Sequence, residues 1–201
     1  HRSKQGISRT AIADTLSLTR PALTKIATDL IETGIVRQRM VNGLRRGDPK
    51  ALMTLNPNWA YAACISLTHS LAVGVLNLRG DLVYQERLAG DGVSRLAYRD
   101  RFDEMFPQAV RRLLAECRGR PVLGIGVLSS GYVDRQGIIR FNGDLPRRNV
   151  NMREMLGTMT DLPVLVDEEI RLLLRARVWA GASPEEYLVA VSPGIYGYGG
   201  P

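Results

Sequence analysis

The sequence predicts a mixed α/β chain that is preceded by a separate, mainly helical segment. Two observations lead to this expectation. Apolar residues recur at helical spacing before Gly34, whereas short apolar runs of strand length dominate after Pro57. Basic side chains are concentrated in the first segment, where ten Lys and Arg accompany four Asp and Glu. We therefore expect two domains, residues 1–58 and residues 59–201.

The distribution of charge indicates which segment meets a polyanion. The whole chain of 201 residues carries 27 basic and 20 acidic side chains, a net charge of +7. Residues 1–58 account for +6 of this charge, and the remainder, with 17 basic and 16 acidic side chains, accounts for +1. Because the excess lies in one segment, that segment is expected to bind nucleic acid.

Two short helices joined by a tight turn are predicted in the first segment. Ser8 is placed to cap a helix over residues 9–15, and a polar turn follows. Thr19 is a suitable N-cap for the second helix, Pro21 suits its first turn, and Gly34 ends it. The second helix carries an apolar stripe of Leu23, Ile26, Ala27, Leu30 and Ile31. Its opposite face carries the short polar and basic side chains of Arg20, Thr24, Lys25 and Thr28.

A basic hairpin is predicted after this helix. Residues 35–41 alternate like a strand, Asn42-Gly43 is a strong turn signal, and residues 51–55 form the returning strand. The tip carries the cations Arg45, Arg46 and Lys50. Together these features predict a winged helix-turn-helix domain, whose second helix enters the major groove of double-stranded DNA. The alternative is a small helical packing unit whose charges face solvent.

The side chains expected to contact DNA follow from this interpretation. Those on the helices are expected to reach bases or phosphates, and those on the hairpin are expected to reach the backbone or the minor groove. The predicted contacts are Arg9, Thr19, Arg20, Thr24, Lys25, Thr28, Arg45, Arg46 and Lys50.

Strands and helices are predicted to alternate after Pro57. Three strands come first, at residues 61–67, 71–78 and 81–88, and apolar positions over residues 96–117 mark a long amphipathic helix. The continuous apolar run at 122–128 is typical of a buried strand. The remaining predicted elements are a strand at 137–141, a helix around 152–159, a strand at 163–166, a helix at 168–180 and a strand at 187–191. Meandering strands followed by this alternation indicate a mixed α/β domain.

Several classes of site and protein are excluded by the sequence. Cys64 and Cys117 lie far apart and no Cys-x-x-Cys or Cys/His cluster occurs, so we expect neither a zinc site nor a disulfide. No apolar run of about 18 residues and no signal peptide is present, so we expect a cytoplasmic protein without a membrane segment. We expect no cofactor. Both ends of the sequence look truncated, and we expect further chain on either side.

The order of motifs over nearly the whole chain resembles the ROK family (repressors, open reading frames and sugar kinases), in its regulator branch. The motifs are Ile7-Ser8-Arg9, residues 18–24, residues 30–36, residues 124–134, and residues 162–169 with Gly181-Ala182. The resemblance implies an actin-like, ribonuclease-H-like domain, of which mainly the first lobe is present. It also implies a homodimer or higher homo-oligomer.

Departures from the family pattern indicate that the chain is not an enzyme. The kinases of the family carry Asp-Ile-Gly-Gly-Thr after the first strand, where this chain has Ser66-Leu67-Thr68-His69-Ser70. Their second phosphate loop, Gly-Thr-Gly-Ile-Gly, is replaced by Ser192-Pro193-Gly194-Ile195-Tyr196-Gly197. With the glycines of the first loop lost and a proline and a tyrosine in the second, a tight phosphate cradle is not expected. The alternative is an active sugar kinase fused to a DNA-binding domain, with Glu169 as the base.

The resemblance also implies where a small-molecule effector would bind. Kinase-type members hold sugar hydroxyls with an Asn-Asp pair, here Glu168 and Glu169, and with an asparagine in an earlier loop. Asn142 or Asp144 occupies that loop in this chain. We predict that these four residues bind a sugar, a sugar derivative or a charged ligand at the ends of the strands. The alternative is that the acids at 167–169 form surface salt bridges with Arg147 and Arg148.

The residues and the resemblance together predict a DNA-binding transcriptional regulator, a repressor of carbohydrate-related genes. The α/β domain is expected to sense the effector and to change the spacing of two winged helices in a dimer. The alternative to this effector role is an α/β domain that serves only for dimerisation.

Overall fold

The computed structural model describes residues 6–41, 50–68, 70–89 and 99–179. The chain divides into two compact units, residues 1–61 with 76–83 and residues 62–75 with 84–201. Several predicted features lie outside the described residues, namely the Asn42-Gly43 turn, the hairpin tip with Arg45 and Arg46, His69, the strand at 187–191 and the second phosphate loop at 192–197.

The elements of the first unit are β1 (Ile7–Ser8), α1 (Arg9–Thr15), α2 (Arg20–Glu32), β2 (Val36–Val41) and β3 (Lys50–Leu55). The strands form an antiparallel sheet with the order β1-β3-β2. Both helices and the two longer strands confirm the predicted elements. Strand β1 was not predicted, because two residues carry no period; it forms because Ile7 pairs with Met53 and Ser8 with Leu52.

The two helix starts differ in how they are capped. The backbone N–H of Ala11 donates to Ser8 Oγ at 3.2 Å, so the predicted cap of α1 is confirmed. Thr19 occupies the N-cap position of α2, but its side chain accepts no capping hydrogen bond. The predicted N-cap position of Thr19 is therefore confirmed without a side-chain hydrogen bond, and Pro21 lies in the first turn of α2 as predicted.

The end of α2 is held by residues that follow the hairpin. Gly34 has a φ of 76°, which suits a residue without a Cβ just beyond a helix. Trp59 Nε1 donates to the carbonyl of Thr33 at 2.7 Å, and Asn56 Nδ2 donates to the carbonyl of Gly34 at 2.9 Å. These side chains satisfy carbonyls that a helix end leaves without partners.

The elements after Ala60 are β4 (Tyr61–Leu67), β5 (Leu71–Asn77), β6 (Leu82–Ala89), α3 (Phe102–Cys117), β7 (Val122–Ser129), β8 (Tyr132–Val133), β9 (Ile139–Phe141), α4 (Met152–Gly157), β10 (Val164–Glu168) and α5 (Glu169–Trp179). Five strands form a sheet with the order β10-β7-β4-β5-β6, in which β7 and β10 are parallel, and β8 pairs with β9 in a separate antiparallel sheet. All of these except the two-residue strand β8 match predicted elements, and the mixed α/β class is confirmed. None of the described helices has the length and apolar character needed to cross a bilayer.

The core of the second unit draws on α3 and on the central strands. Helix α3 buries its stripe of Phe102, Phe106, Ala109, Val110 and Leu113, and the two phenylalanine rings stack with centroids 5.1 Å apart. The buried strand residues include Ile65, Leu67, Val73, Ile125 and Val127. They alternate along each strand, as expected when one face of a sheet packs against the core.

The two cysteines are free thiols, as expected from their separation in the sequence. Burial raises the pKa of the Cys64 thiol and of the Cys117 thiol above the ordinary value. A raised pKa keeps a thiol protonated at neutral pH and lowers its nucleophilicity.

Candidate functional site

One face of α2 is an exposed polar surface. The helix buries Leu23 and Ala27, which are 4% and 0% exposed. Arg20, Thr24 and Thr28 are exposed, and because residues four apart share a helix face they form one row, with Lys25 beside it. The structure therefore brings together four of the side chains predicted to contact DNA. We call these four residues the α2 row.

The threonines of the α2 row are oriented by their own helix. Thr24 Oγ1 donates to the carbonyl of Arg20, and Thr28 Oγ1 donates to the carbonyl of Thr24, both at 2.9 Å. Each hydroxyl thus uses its proton within the helix and keeps lone pairs that accept hydrogen bonds. The row combines fixed acceptors with two cationic side chains.

Arg9 differs from the other predicted contacts. It begins α1, and its Nη2 donates to Gln38 Oε1 of β2 at 3.0 Å. Its Nε is buried and has no hydrogen-bond partner among the described residues. Arg9 therefore connects the start of α1 to β2 through its side chain.

The hairpin places further cations that sequence reasoning did not select. Arg37 and Arg39 are exposed on β2, and their alternate positions put them on one face of the strand. The alternation of these two arginines in the sequence could have identified them as one exposed basic face. Lys50 begins β3 opposite Val41, and Thr19 is exposed at the start of α2.

In the second unit, the side chain of Asn142 connects two strand ends and is buried, since the residue is only 3% exposed. Its Nδ2 donates to the carbonyl of Leu67 at 3.0 Å and to Ser129 Oγ at 2.9 Å. Its Oδ1 accepts from the N–H of Asp144 at 2.8 Å and from Ser130 Oγ at 3.3 Å. The amide thereby joins the ends of β4 and β7, and all its usual hydrogen-bonding positions are occupied within the protein. Asp144 itself is fully buried.

The three consecutive acids after β10 have different environments. Asp167 is 6% exposed, and its carboxylate lies 2.5 Å from Arg171 Nε and 3.4 Å from Arg175 Nη1. Glu168 Oε1 accepts from the N–H of Val133 at 2.9 Å and lies 3.5 Å from Arg171 Nη2. Glu169 begins α5 and has no side-chain partner among the described residues.

Two of the predicted ligand residues come together at the end of β7. Glu168 is opposite Ser129 in the register of β10 and β7, and Asn142 bonds to the side chain of the same serine. The predicted alternative, in which the acids pair with Arg147 and Arg148, differs from the structure. Arg147 pairs with Asp103, and the guanidinium of Arg148 lies over the Phe141 ring.

The residues at the end of β4 carry hydroxyl side chains where a phosphate-binding turn carries glycines. The hydroxyls of Ser66 and Thr68 are hydrogen-bonded to each other at 2.9 Å. Within the described ranges, no group of three or more His, Cys, Asp or Glu side chains is arranged to hold a metal ion.

Comparison with known proteins gives relatives along most of the chain. No family model matches it. The chain is 22% identical over 195 residues to a putative xylose repressor from Caldicellulosiruptor sp. (strain Rt8B.4), covering 94% of this chain and 48% of the relative. It is 23% identical over 180 residues to a xylose repressor from Caldicellulosiruptor bescii, covering 87% of this chain and 44% of the relative. The chain thus spans about half the length of these curated relatives.

A solved structure shares the fold. The crystal structure described as a ROK family transcriptional regulator, a homologue of the E. coli MLC protein, aligns with a TM-score of 0.59 and 20% identity. The alignment covers 88% of this chain and 45% of that structure. The chain therefore shares the fold of that structure over most of its own length, as the family resemblance of its sequence motifs implied.

Proposed function

We propose that this chain is the DNA-binding and effector-sensing part of a cytoplasmic transcriptional repressor. In this proposal residues 1–58 form a winged helix-turn-helix domain and residues 59–201 form a ROK-type α/β domain. The observation that carries the proposal is the α2 row, a polar and basic face on a helix whose other face is buried.

The α2 row suits the major groove of DNA in size and chemistry. The groove is about 12 Å wide and admits one α-helix with its side chains. Arg20 and Lys25 supply positive charge for phosphates or guanine edges, and Thr24 and Thr28 supply acceptors for the amino groups of bases. Arg37 and Arg39 of the adjoining hairpin add charge for the phosphate backbone.

A repressor of carbohydrate-related genes is the role that the relatives' names support. Two of them are named xylose repressors. In our proposal the α/β domain binds a small-molecule effector and belongs to a homodimer. The effector changes the spacing of the two DNA-binding domains, so that they no longer match half-sites one helical turn, about 34 Å, apart.

Phosphoryl transfer is not part of the proposed function. The hydroxyls of Ser66 and Thr68 bond to each other where the family's kinases carry a glycine turn. Glu168, which replaces a sugar-binding asparagine, is engaged by Val133 and Arg171. Sugar-dependent turnover of ATP that disappears in Glu169→Ala would instead establish the alternative of a sugar kinase with a fused DNA-binding domain.

The test of the repressor proposal is DNA binding by the full-length protein to fragments of its own upstream region. We expect a sequence-selective complex, which Lys25→Ala and Arg20→Ala each weaken by about tenfold, the effect of losing one contact to a charged group. Arg111→Ala is the matched control, because this exposed arginine lies on α3 in the other unit. Binding no stronger than that to random DNA would contradict the proposal and favour a packing module.

A second candidate function has a specific observation in its favour. The Asn142 amide and the Glu168 carboxylate are already satisfied by protein groups, as expected of a domain that only dimerises. A panel of neutral sugars that leaves the melting temperature unchanged, together with retained DNA binding, would favour this candidate over a sugar-sensing repressor.

A further inference from the structure

A cavity of about 420 Å³ opens at the loop between β9 and α4. Its lining includes Arg99, Phe141, Gly143, Pro146, Arg147 and Arg148. The volume falls within the range of small-molecule sites, roughly 300–1,000 Å³. Three of the lining residues are arginines, and their side chains are exposed.

The three arginines differ in whether a carboxylate neutralises their charge. Arg147 makes a two-pronged contact with Asp103, at 3.2 and 2.5 Å, so its charge is neutralised. Arg99 and Arg148 have no carboxylate partner among the residues that the structure describes. The described lining of the cavity therefore carries excess positive charge, which attracts anions.

Arg148 is also held in position. Its guanidinium carbon lies 5.0 Å from the centroid of the Phe141 ring, within the distance of a cation–π interaction. A side chain that is ordered before binding loses less conformational entropy when a ligand arrives. Phe141 is 47% exposed and lines the cavity, so it offers apolar surface to a ligand.

We propose that this cavity binds a small organic anion. Its phosphate or carboxylate group contacts Arg99 and Arg148, because the planar guanidinium matches both groups in a two-pronged geometry. Its carbon skeleton packs against Phe141 and Pro146. A concave site of this volume suits a small molecule, whereas a duplex backbone requires an open, extended surface.

This inference refines the ligand site of the proposed function. In the structure Asn142 keeps the loop in place through its bonds to Leu67 and Ser129, and the arginines provide the free ligand-binding groups. The anion acts as the effector only if the repressor proposal holds. Binding itself does not depend on DNA, so the two proposals fail separately.

The experiment is isothermal titration of the full chain at low ionic strength with four probes: citrate, glucose 6-phosphate, inorganic phosphate and glucose. We expect citrate or glucose 6-phosphate to bind more tightly than inorganic phosphate, and glucose not to bind. Arg99→Gln and Arg148→Gln should each weaken binding by about tenfold. Arg111→Gln is the control for lost charge, and circular dichroism checks that every variant folds.

Further arms separate the contributions to binding. Phe141→Leu should weaken the binding of the organic anion while leaving the binding of inorganic phosphate unchanged. An equal loss of affinity for both anions would contradict the proposed packing. The proposal is overturned if none of the three anions binds the folded protein. It is equally overturned if the Arg99→Gln and Arg148→Gln variants bind the anions as tightly as the unaltered chain does.

Discussion

Asn142 shows at the residue scale how a candidate ligand residue can hold the fold together. The sequence placed it in a polar loop before a helix, where a ligand contact and a structural role look alike. In the structure its amide bonds to Leu67, which is 75 residues away, and to Ser129. The distance in sequence is the reason that pattern analysis could not identify these partners.

We predict that Asn142→Ala destabilises the protein. The truncation leaves a buried carbonyl, a hydroxyl and a backbone N–H without partners, which costs about 2 kcal/mol or more. Urea unfolding measures the loss, with the exposed Asn58→Ala as the control. Unchanged stability combined with lost ligand binding would show that the amide serves the ligand.

At the element scale, a polar contact connects β6 to α3 in the second unit. The hydroxyl of Tyr84 donates to Glu86 Oε2 at 2.6 Å, and Arg112 of α3 donates to the same carboxylate. The hydrogen bond from the Tyr84 hydroxyl lowers the pKa of Glu86 below its ordinary value. Arg112 lowers this pKa further, whereas partial desolvation acts in the opposite direction. The same hydrogen bond raises the pKa of Tyr84 to about 12.

This contact predicts a pH-dependent part of the stability. Because the pKa of Glu86 is lower in the folded state than in the unfolded chain, the contribution is present above the unfolded pKa and is lost as pH falls through the folded pKa. Glu86→Gln should lower the free energy of unfolding at pH 7 by about 0.2–1 kcal/mol, the range for exposed pairs. Below pH 4 the difference should shrink. Denaturant unfolding at both pH values tests this, with Glu154→Gln as a control, and a pH-independent difference would contradict it.

Helix α2 shows what local sequence can predict at this scale. Its bounds follow from Pro21 near the start, the apolar spacing of Leu23 and Ala27, and Gly34 after the end. All of these signals lie within the helix or next to it. Strands β1 and β8 have no such signal, since each consists of two residues and depends on its partner strand.

At the scale of the whole molecule, the separation of charge sets how DNA binding should respond to salt. Residues 1–58 carry most of the net charge of +7. If that segment binds DNA, the logarithm of the binding constant should fall linearly with the logarithm of salt concentration, by about 0.9 per phosphate neutralised.

Lys25→Ala should reduce the magnitude of this slope by about one. Arg111→Ala should leave the slope unchanged, because Arg111 lies on α3 in the unit with almost balanced charge. Fluorescence anisotropy over a salt series measures both slopes. Equal slopes for the two variants would place the DNA contacts elsewhere on the protein.

The sequence by itself determined the longer helices and strands, the α/β class, the family resemblance and the position of the basic segment. These depend on the periodicity and composition of neighbouring residues, which are visible in a linear chain. Only the tertiary structure decided how the polar residues are used. Asn142 is enclosed by two strand ends, and Asp167 is neutralised by Arg171 and Arg175. Arg148, which lines a cavity, has no carboxylate partner within the part of the chain that the structure describes. The physical reason is that hydrogen bonding and charge pairing depend on distances between residues far apart in the chain, and folding alone sets those distances.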